Sequence, residues 1–151
     1  MSFIGLIVRE EHAAQEKLEL IETQILKQFL LEKYKMELVA LLSTGKGTWA
    51  QVSGLMKYGE WDRVIVLGND FAQKFTSDKK FEFIQIDLDK KLKDLRDEIK
   101  EKLKGKIMST EVALSIASGD GKEHMALISA LINLPVGIRF AALTKEGVID
   151  L

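Results

Sequence analysis

The sequence predicts an α/β fold: an open, mainly parallel sheet with helices on both faces, plus an N-terminal amphipathic helix. Two observations lead there. Continuous apolar runs at 37–43, 63–68 and 111–118 each end in Ser or Gly, as strands buried on both faces do. Segments of helical period separate them, and alternating strands and helices imply βαβ units with a parallel sheet.

In order along the chain, residues 10–34 read as a helix, because Ala14, Leu18, Ile21, Ile25 and Phe29 recur every three or four positions. Residues 3–8 (Phe-Ile-Gly-Leu-Ile-Val) either extend that helix, with Ser2 as N-cap, or form a short strand. The first buried strand follows at 37–43, then a loop at 44–48 and a short helix at 49–57. A second strand at 63–68 leads into a helical or loop segment at 69–76. Alternation at 81–87 marks a third strand. Residues 88–103 form a charged helix with Leu92, Leu95, Ile99 and Leu103 as its stripe, and Gly105 as its C-terminal stop. A fourth strand at 111–118, a loop at 119–122 and a helix at 123–134 come next. Pro135 to Gly137 end that helix, a fifth strand covers 138–143, and 148–151 close a hairpin. Together these elements describe a Rossmann-like sheet.

Composition sets the outer limits. The 151 residues suit one domain, with 1–35 as its helical segment and 36–151 as its α/β core. With 46% hydrophobic and 30% charged residues, the chain is neither disordered nor membrane-spanning. The opening MSFIGLIVREEH lacks the basic n-region and cleavage site of a secretory leader, so the expected location is cytoplasmic. Without cysteine there is no disulfide, thiolate metal site or cysteine nucleophile. His12 and His124 do not make a metal site, and neither metal nor cofactor is expected. A net charge of −1 argues against gripping duplex DNA but leaves a local basic pocket open.

Chemistry concentrates at two strand ends. Ser43-Thr44-Gly45-Lys46-Gly47-Thr48 and Ser118-Gly119-Asp120-Gly121-Lys122 each follow a strand and precede a helix. Open α/β sheets bind ligands at the carboxyl ends of their strands. Glycine admits a ligand close to the backbone, and the first N–H groups of a helix favour an anion. Ser and Thr hydroxyls add donors, and Lys46 and Lys122 add positive charge. Neither loop is a Walker A or a G-x-G-x-x-G motif, and both could be ordinary turns. Around them, His124 is a ligand contact or a helix N-terminal residue. Trp49 stacks on a base or belongs to the core, and Trp61 packs under the second strand. Asn69 and Asp70, with Asp87 and Asp89, line the same crevice or cap the next helices.

From residue 37 to 143 the chain resembles the CRISPR-associated Rossmann-fold (CARF) domain. Leu42-Ser43-Thr44-Gly45 matches the Ser/Thr-Gly loop after that family's first core strand. The segment 118–131 (SGDGKEHMALISAL) is similar to its Gly-rich, basic loop and following apolar helix. The resemblance implies a homodimer that binds a cyclic oligoadenylate across its two-fold axis. It also implies, in some members, metal-independent ring cleavage by attack of a ribose 2′-hydroxyl on the adjacent phosphate. Carried over, Ser43 or Thr44 would contact phosphate or ribose, and Lys122 would stabilise the developing charge, which makes Ser43 and Lys122 the candidate catalytic pair. Gly45, Gly119 and Gly121 would permit close approach. Asp120 departs from the pattern, since it sets a negative charge inside the second loop. So does the long N-terminal segment, and no room is left for a fused effector. Two other functions use the same residues: a non-catalytic interaction module working through its N-terminal helix, and a small enzyme acting on a phosphorylated metabolite.

Overall fold

The computed structural model describes residues 2–33 and 36–151. The chain divides into two units, 1–35 and 36–151.

The first unit is a single helix, α1 (Phe3–Lys33). It is rich in Glu and Leu, with Gln and Lys between them, has no proline, and so has strong helical preference. Ser2 starts it: its Oγ accepts from the Gly5 N–H at 3.2 Å, and its carbonyl accepts from the Leu6 N–H at 3.2 Å. Residues 3–8 therefore belong to the helix, and the strand alternative is excluded. Position 34, the end of the expected helix, lies outside the described residues. His12 and Glu16 approach to 3.2 Å one turn apart on the exposed surface.

The second unit holds a six-stranded sheet in the order β3-β2-β1-β4-β5-β6. Its strands are β1 (Glu37–Leu42), β2 (Arg63–Gly68), β3 (Glu82–Gln85), β4 (Glu111–Ser115), β5 (Gly137–Thr144) and β6 (Gly147–Asp150). Five are parallel, and β6 folds back antiparallel on β5, with Thr144 opposite Gly147. The helices are α2 (Trp49–Tyr58), α3 (Leu92–Leu103) and α4 (Gly121–Asn133). The chain winds outward from β1 through β2 to β3, then returns to β4 on the other side. Winding thus reverses between β1 and β4.

The continuous apolar runs have a direct cause. Leu38, Ala40 and Leu42 of β1 pack with Val52, Leu55 and Met56 of α2. Val39 and Leu41, pointing the other way, pack with Leu95 and Ile99 of α3 and Leu127 and Leu131 of α4. Both faces of the sheet are covered, so neither set of alternate positions has a reason to be polar. The result is a Rossmann-like α/β sheet with α2 on one face and α3 and α4 on the other.

Several boundaries differ from the sequence reading; α4 begins at Gly121, two residues earlier than expected, and three others have a local cause. β3 stops at Gln85, although Ile86 continues the pairing with one bond to the Gly68 carbonyl at 2.9 Å. α3 begins at Leu92, not 88, because Asp87 turns the chain: its Oδ1 accepts from the Asp89 N–H at 3.0 Å. Leu88 is buried ahead of the helix, whereas Leu92, expected on the buried stripe, is 40% exposed. β4 ends at Ser115, not 118, because its last partners are Ala40 on one side and Phe140 on the other. Between β2 and β3, Asp70–Lys74 form a 3₁₀ helix capped by Asn69. Gly105, with φ +76°, follows the last turn of α3, as a helix stop requires. No helix among the described residues is long and apolar enough to cross a membrane.

A charged clamp, not anticipated from the sequence, closes the amino end of the sheet. Glu37, 3% exposed, accepts from the Met108 and Ser109 N–H groups at 2.7 and 2.8 Å through one carboxylate oxygen. The other oxygen lies 3.7 Å from the Arg63 guanidinium. Arg63 also donates to Glu82 at 2.9 Å, and Lys106 pairs with the same carboxylate. Hydrogen bonding from Lys106 holds the Glu82 carboxyl below its usual range, with Arg63 adding to the effect against the smaller opposing pull of burial. A depressed folded-state value means stability that is present above the unfolded value of about 4.3 and is lost as the pH falls through the folded one. Urea midpoints are therefore expected to hold steady from pH 7 to about 5.5 and to fall below about 4.5. Glu82→Gln should lower the midpoint at neutral pH and flatten that acid limb. An unchanged acid limb in Glu82→Gln would remove Glu82 from this account.

Candidate functional site

The reversal of winding opens a crevice at the carboxyl ends of β1 and β4, where side chains from both sides can meet a ligand. The two loops singled out in the sequence meet there. The Ser43 N–H donates to Ser118 Oγ at 2.9 Å, joining positions 75 residues apart. The Ser43 hydroxyl donates to Glu123 Oε1 at 3.3 Å. Ser118 and Glu123 are buried, at 1% and 6% exposure.

The second loop is built around Gly119, whose φ of +104° suits glycine alone. A Cβ there would lie 2.7 Å from Leu41 Cδ2 and 2.6 Å from Glu123 Oε2. Asp120 caps α4: its Oδ1 accepts from the Glu123 N–H at 2.8 Å, while Glu123 Oε2 accepts from the Asp120 N–H at 2.9 Å. This reciprocal box satisfies donors that an anion would otherwise find open. The His124 ring nitrogen lies 2.8 Å from the Ser118 carbonyl, which makes it a brace of the loop.

Lys122 reaches away from the box. Its ammonium donates to the carbonyls of Leu88 and Lys90, at 2.7 and 3.0 Å, and so ties the β4–α4 loop to the β3–α3 loop. Lys90 in turn pairs with Glu98, which also pairs with Lys102. Burial pushes the Glu98 carboxyl upward, but hydrogen bonds from Lys102 and Lys90 outweigh it and leave the group below its usual range.

In the first loop Thr48 donates through its hydroxyl to the Gly45 carbonyl at 3.0 Å. Lys46 lies in a 3₁₀ turn with Gly47 and Thr48, its side chain outside what the structure describes. A Cβ at Gly45, Gly47 or Gly121 would meet nothing within 4 Å, so these positions border open space. Thr44 is exposed beside them. Trp49 belongs to the packing, not to an open stacking platform. Its indole N–H donates to the Ser43 carbonyl at 2.9 Å, and its ring lies 5.5 Å from Phe71 and 5.9 Å from Phe75. Trp61 likewise donates to the Leu55 carbonyl at 2.8 Å, against the core on the α2 face.

Two clefts flank the crevice. One, about 660 Å³, lies past the ends of β2 and β3 and is lined by Asn69, Asp70, Asp87, Asp89 and Glu98, with Lys102. Asn69, Asp70, Asp87 and Asp89 therefore share one cleft, although Asn69 also caps its helix by accepting from the Ala72 N–H at 3.2 Å. The other, about 470 Å³ and mostly apolar, lies between α2 and the ends of β4 and β5, with Gln51, Ser115 and Leu143 in its wall. Among the described residues no cluster of three or more His, Asp or Glu is placed to hold a metal ion.

The site residue that sequence reasoning missed is Glu123. Its signal was present as Asp-x-x-Glu at the head of an apolar helix, the spacing of a capping box. No known family model matches the chain, and no curated protein matches it.

Proposed function

We propose that the 36–151 unit binds a phosphate-bearing nucleotide at the β1–β4 switch point, as a cytoplasmic, homodimeric sensor of the CARF kind whose ligand is a cyclic oligoadenylate. The observation that carries this reading is the meeting of the Ser43–Thr48 and Ser118–Lys122 loops in one crevice, joined through Ser43 and Ser118. Beside that joint, Gly45, Gly47 and Gly121 leave space for a ligand to approach the backbone. Thr44 and the loop N–H groups supply donors to phosphate. The Lys122 ammonium lies on the neighbouring loop's carbonyls and reaches phosphate by exchanging those partners. Ring cleavage is a separable part of the proposal. There Ser43 positions the ribose, the ribose 2′-hydroxyl gives its proton to water as its oxygen bonds to phosphorus, the P–O5′ bond breaks to leave a 2′,3′-cyclic phosphate, the departing 5′-oxygen takes a proton from water, and Lys122 stabilises the charge. Duplex DNA and membranes are not partners in this reading.

A second reading has its own support. The Asp120–Glu123 box puts two carboxylates where an anion would bind, which favours a protein-interaction module with the Gly loops as turns.

Thermal shift separates the two. Cyclic tri-, tetra- and hexa-adenylate, mononucleotides and sugar phosphates are each added at 100 µM as probes. A rise of several degrees with a cyclic adenylate supports the nucleotide reading. Gly121→Ala should keep the melting temperature of the free protein and lose most of that rise. No response to any of these anions overturns the reading in favour of the module. A response to a sugar phosphate alone replaces it with a metabolic enzyme.

A further inference from the structure

We infer that α1 is a dimerisation helix whose occupant is the α1 of a second copy, aligned parallel and in register. The inference takes up the two-copy part of the proposed function and does not depend on its nucleotide part.

Among the described residues of α1, twelve large apolar side chains are exposed, from Phe3 at 77% to Leu30 and Ile7 at 40%. A helix of 31 residues is about 46 Å long. Its stability in water comes mainly from burying an apolar face, not from intrinsic preference. Five of these twelve, Ile4, Ile7, Leu18, Ile21 and Ile25, together with Glu11 and Ala14, follow the alternating three- and four-residue steps of a heptad seam, and the other seven lie off it. Ile4, Leu18 and Ile25 take its a positions, and Ile7, Ala14 and Ile21 its d positions. Glu11 and Gln28 are the polar interruptions. Such residues lower the stability of a coil and fix its register.

Charge chooses the partner. The helix carries six glutamates against four basic residues, so an anionic lipid surface is disfavoured. A parallel copy is favoured by position. Lys17 at g faces Glu22 at the next e of the partner helix, and the two-fold axis makes this pair twice. Area is also sufficient. The seam, with the flanking stems of Lys17 and Phe29, removes seven or eight side chains at about 100 Å² each. That approaches the roughly 800 Å² per partner of a stable interface.

The chain's lack of cysteine makes the test clean. Ala14→Cys and Ile21→Cys each place a thiol on the seam, where a parallel in-register partner presents the same residue. Thr23→Cys places it on the outer face. The full chain at 10 µM, without nucleotide, is oxidised mildly with copper phenanthroline and run on a non-reducing gel. Most of the chain should appear as covalent dimer for positions 14 and 21, and little for 23. Light scattering should give twice the monomer mass, falling to monomer in Leu18→Asp with circular dichroism of the 36–151 unit retained. Monomeric wild-type protein would overturn the inference. So would cross-linking at 14 paired only with a second variant at 25, the signature of an antiparallel coil. Equal cross-linking at 14, 21 and 23 would do so as well. None of these outcomes depends on whether any nucleotide binds.

Discussion

Replacing Gly119 by alanine should cost the 36–151 unit about 3–5 kcal/mol, the largest single loss expected at the crevice. Two penalties add. The backbone sits at φ +104°, where a Cβ is strained whatever surrounds it. That Cβ would also come within 2.7 Å of Leu41 Cδ2 and 2.6 Å of Glu123 Oε2. Leu41 is fully buried in the central strand, against the α3 and α4 side of the core, and has no room to retreat. The loss corresponds to a fall in melting temperature of roughly 10–20 °C for a domain of this size. Gly121→Ala is the internal control. Its φ is not positive, and the added Cβ meets nothing within 4 Å. It opens α4, where alanine is the better helix former. Its melting temperature should therefore match or slightly exceed that of the parent. If the two alanine variants lost equal stability, the strain at Gly119 would not be the determinant of the loop.

The contrast between these two glycines shows what the sequence could and could not convey. Gly119 and Gly121 look alike in Ser-Gly-Asp-Gly-Lys, and nothing in the string says that one is sterically obligatory and the other borders open space. That difference arises from Leu41, far away in sequence, and from where β4 stops. Strand identity was legible because a sheet covered on both faces demands unbroken apolar runs, as at 38–42 and 64–67. The meeting of the two loops was legible for a similar reason. Alternating strands and helices imply a doubly wound sheet, and such a sheet has a switch point. The fate of individual side chains was not. Lys122 carries the charge expected of an anion contact, yet its ammonium is bonded to the Leu88 and Lys90 carbonyls, a partnership set by where the β3–α3 turn falls. Trp49 follows the loop as a stacking residue would, but Phe71 and Phe75 draw its ring inward. Glu37 opens a strand with a charge, and only the crossing of residues 108 and 109 beneath it explains the burial. Local pattern sets the elements, whereas long-range contacts decide which polar atoms stay available.

Glu123 brings stability and function into opposition at one atom pair, so its two substitutions should diverge. Glu123→Ala removes the acceptor for the Asp120 N–H and the Ser43 hydroxyl and leaves a gap beside Gly119. A cost of about 2–3 kcal/mol is expected from the lost cap and the unpaired groups. Glu123→Gln can keep both contacts. Its carbonyl oxygen takes the Asp120 N–H, and its amide donates to Ser43 Oγ once that hydroxyl rotates, since a hydroxyl accepts as readily as it donates. Its cost should stay under about 1 kcal/mol. Removing the negative charge should at the same time favour an anion in the crevice. Under the proposed nucleotide reading, cyclic tetra-adenylate should bind Glu123→Gln about three- to tenfold more tightly than the parent, because a nearby like charge in a partly buried site contributes on that scale. Denaturant titration measures the first effect and calorimetric titration with the cyclic adenylate the second. A Gln variant as unstable as the Ala variant would mean that the carboxylate's charge, not its shape, holds the loop. Unchanged or weaker cyclic adenylate binding in a stable Gln variant would place the phosphate elsewhere, away from the mouth of α4.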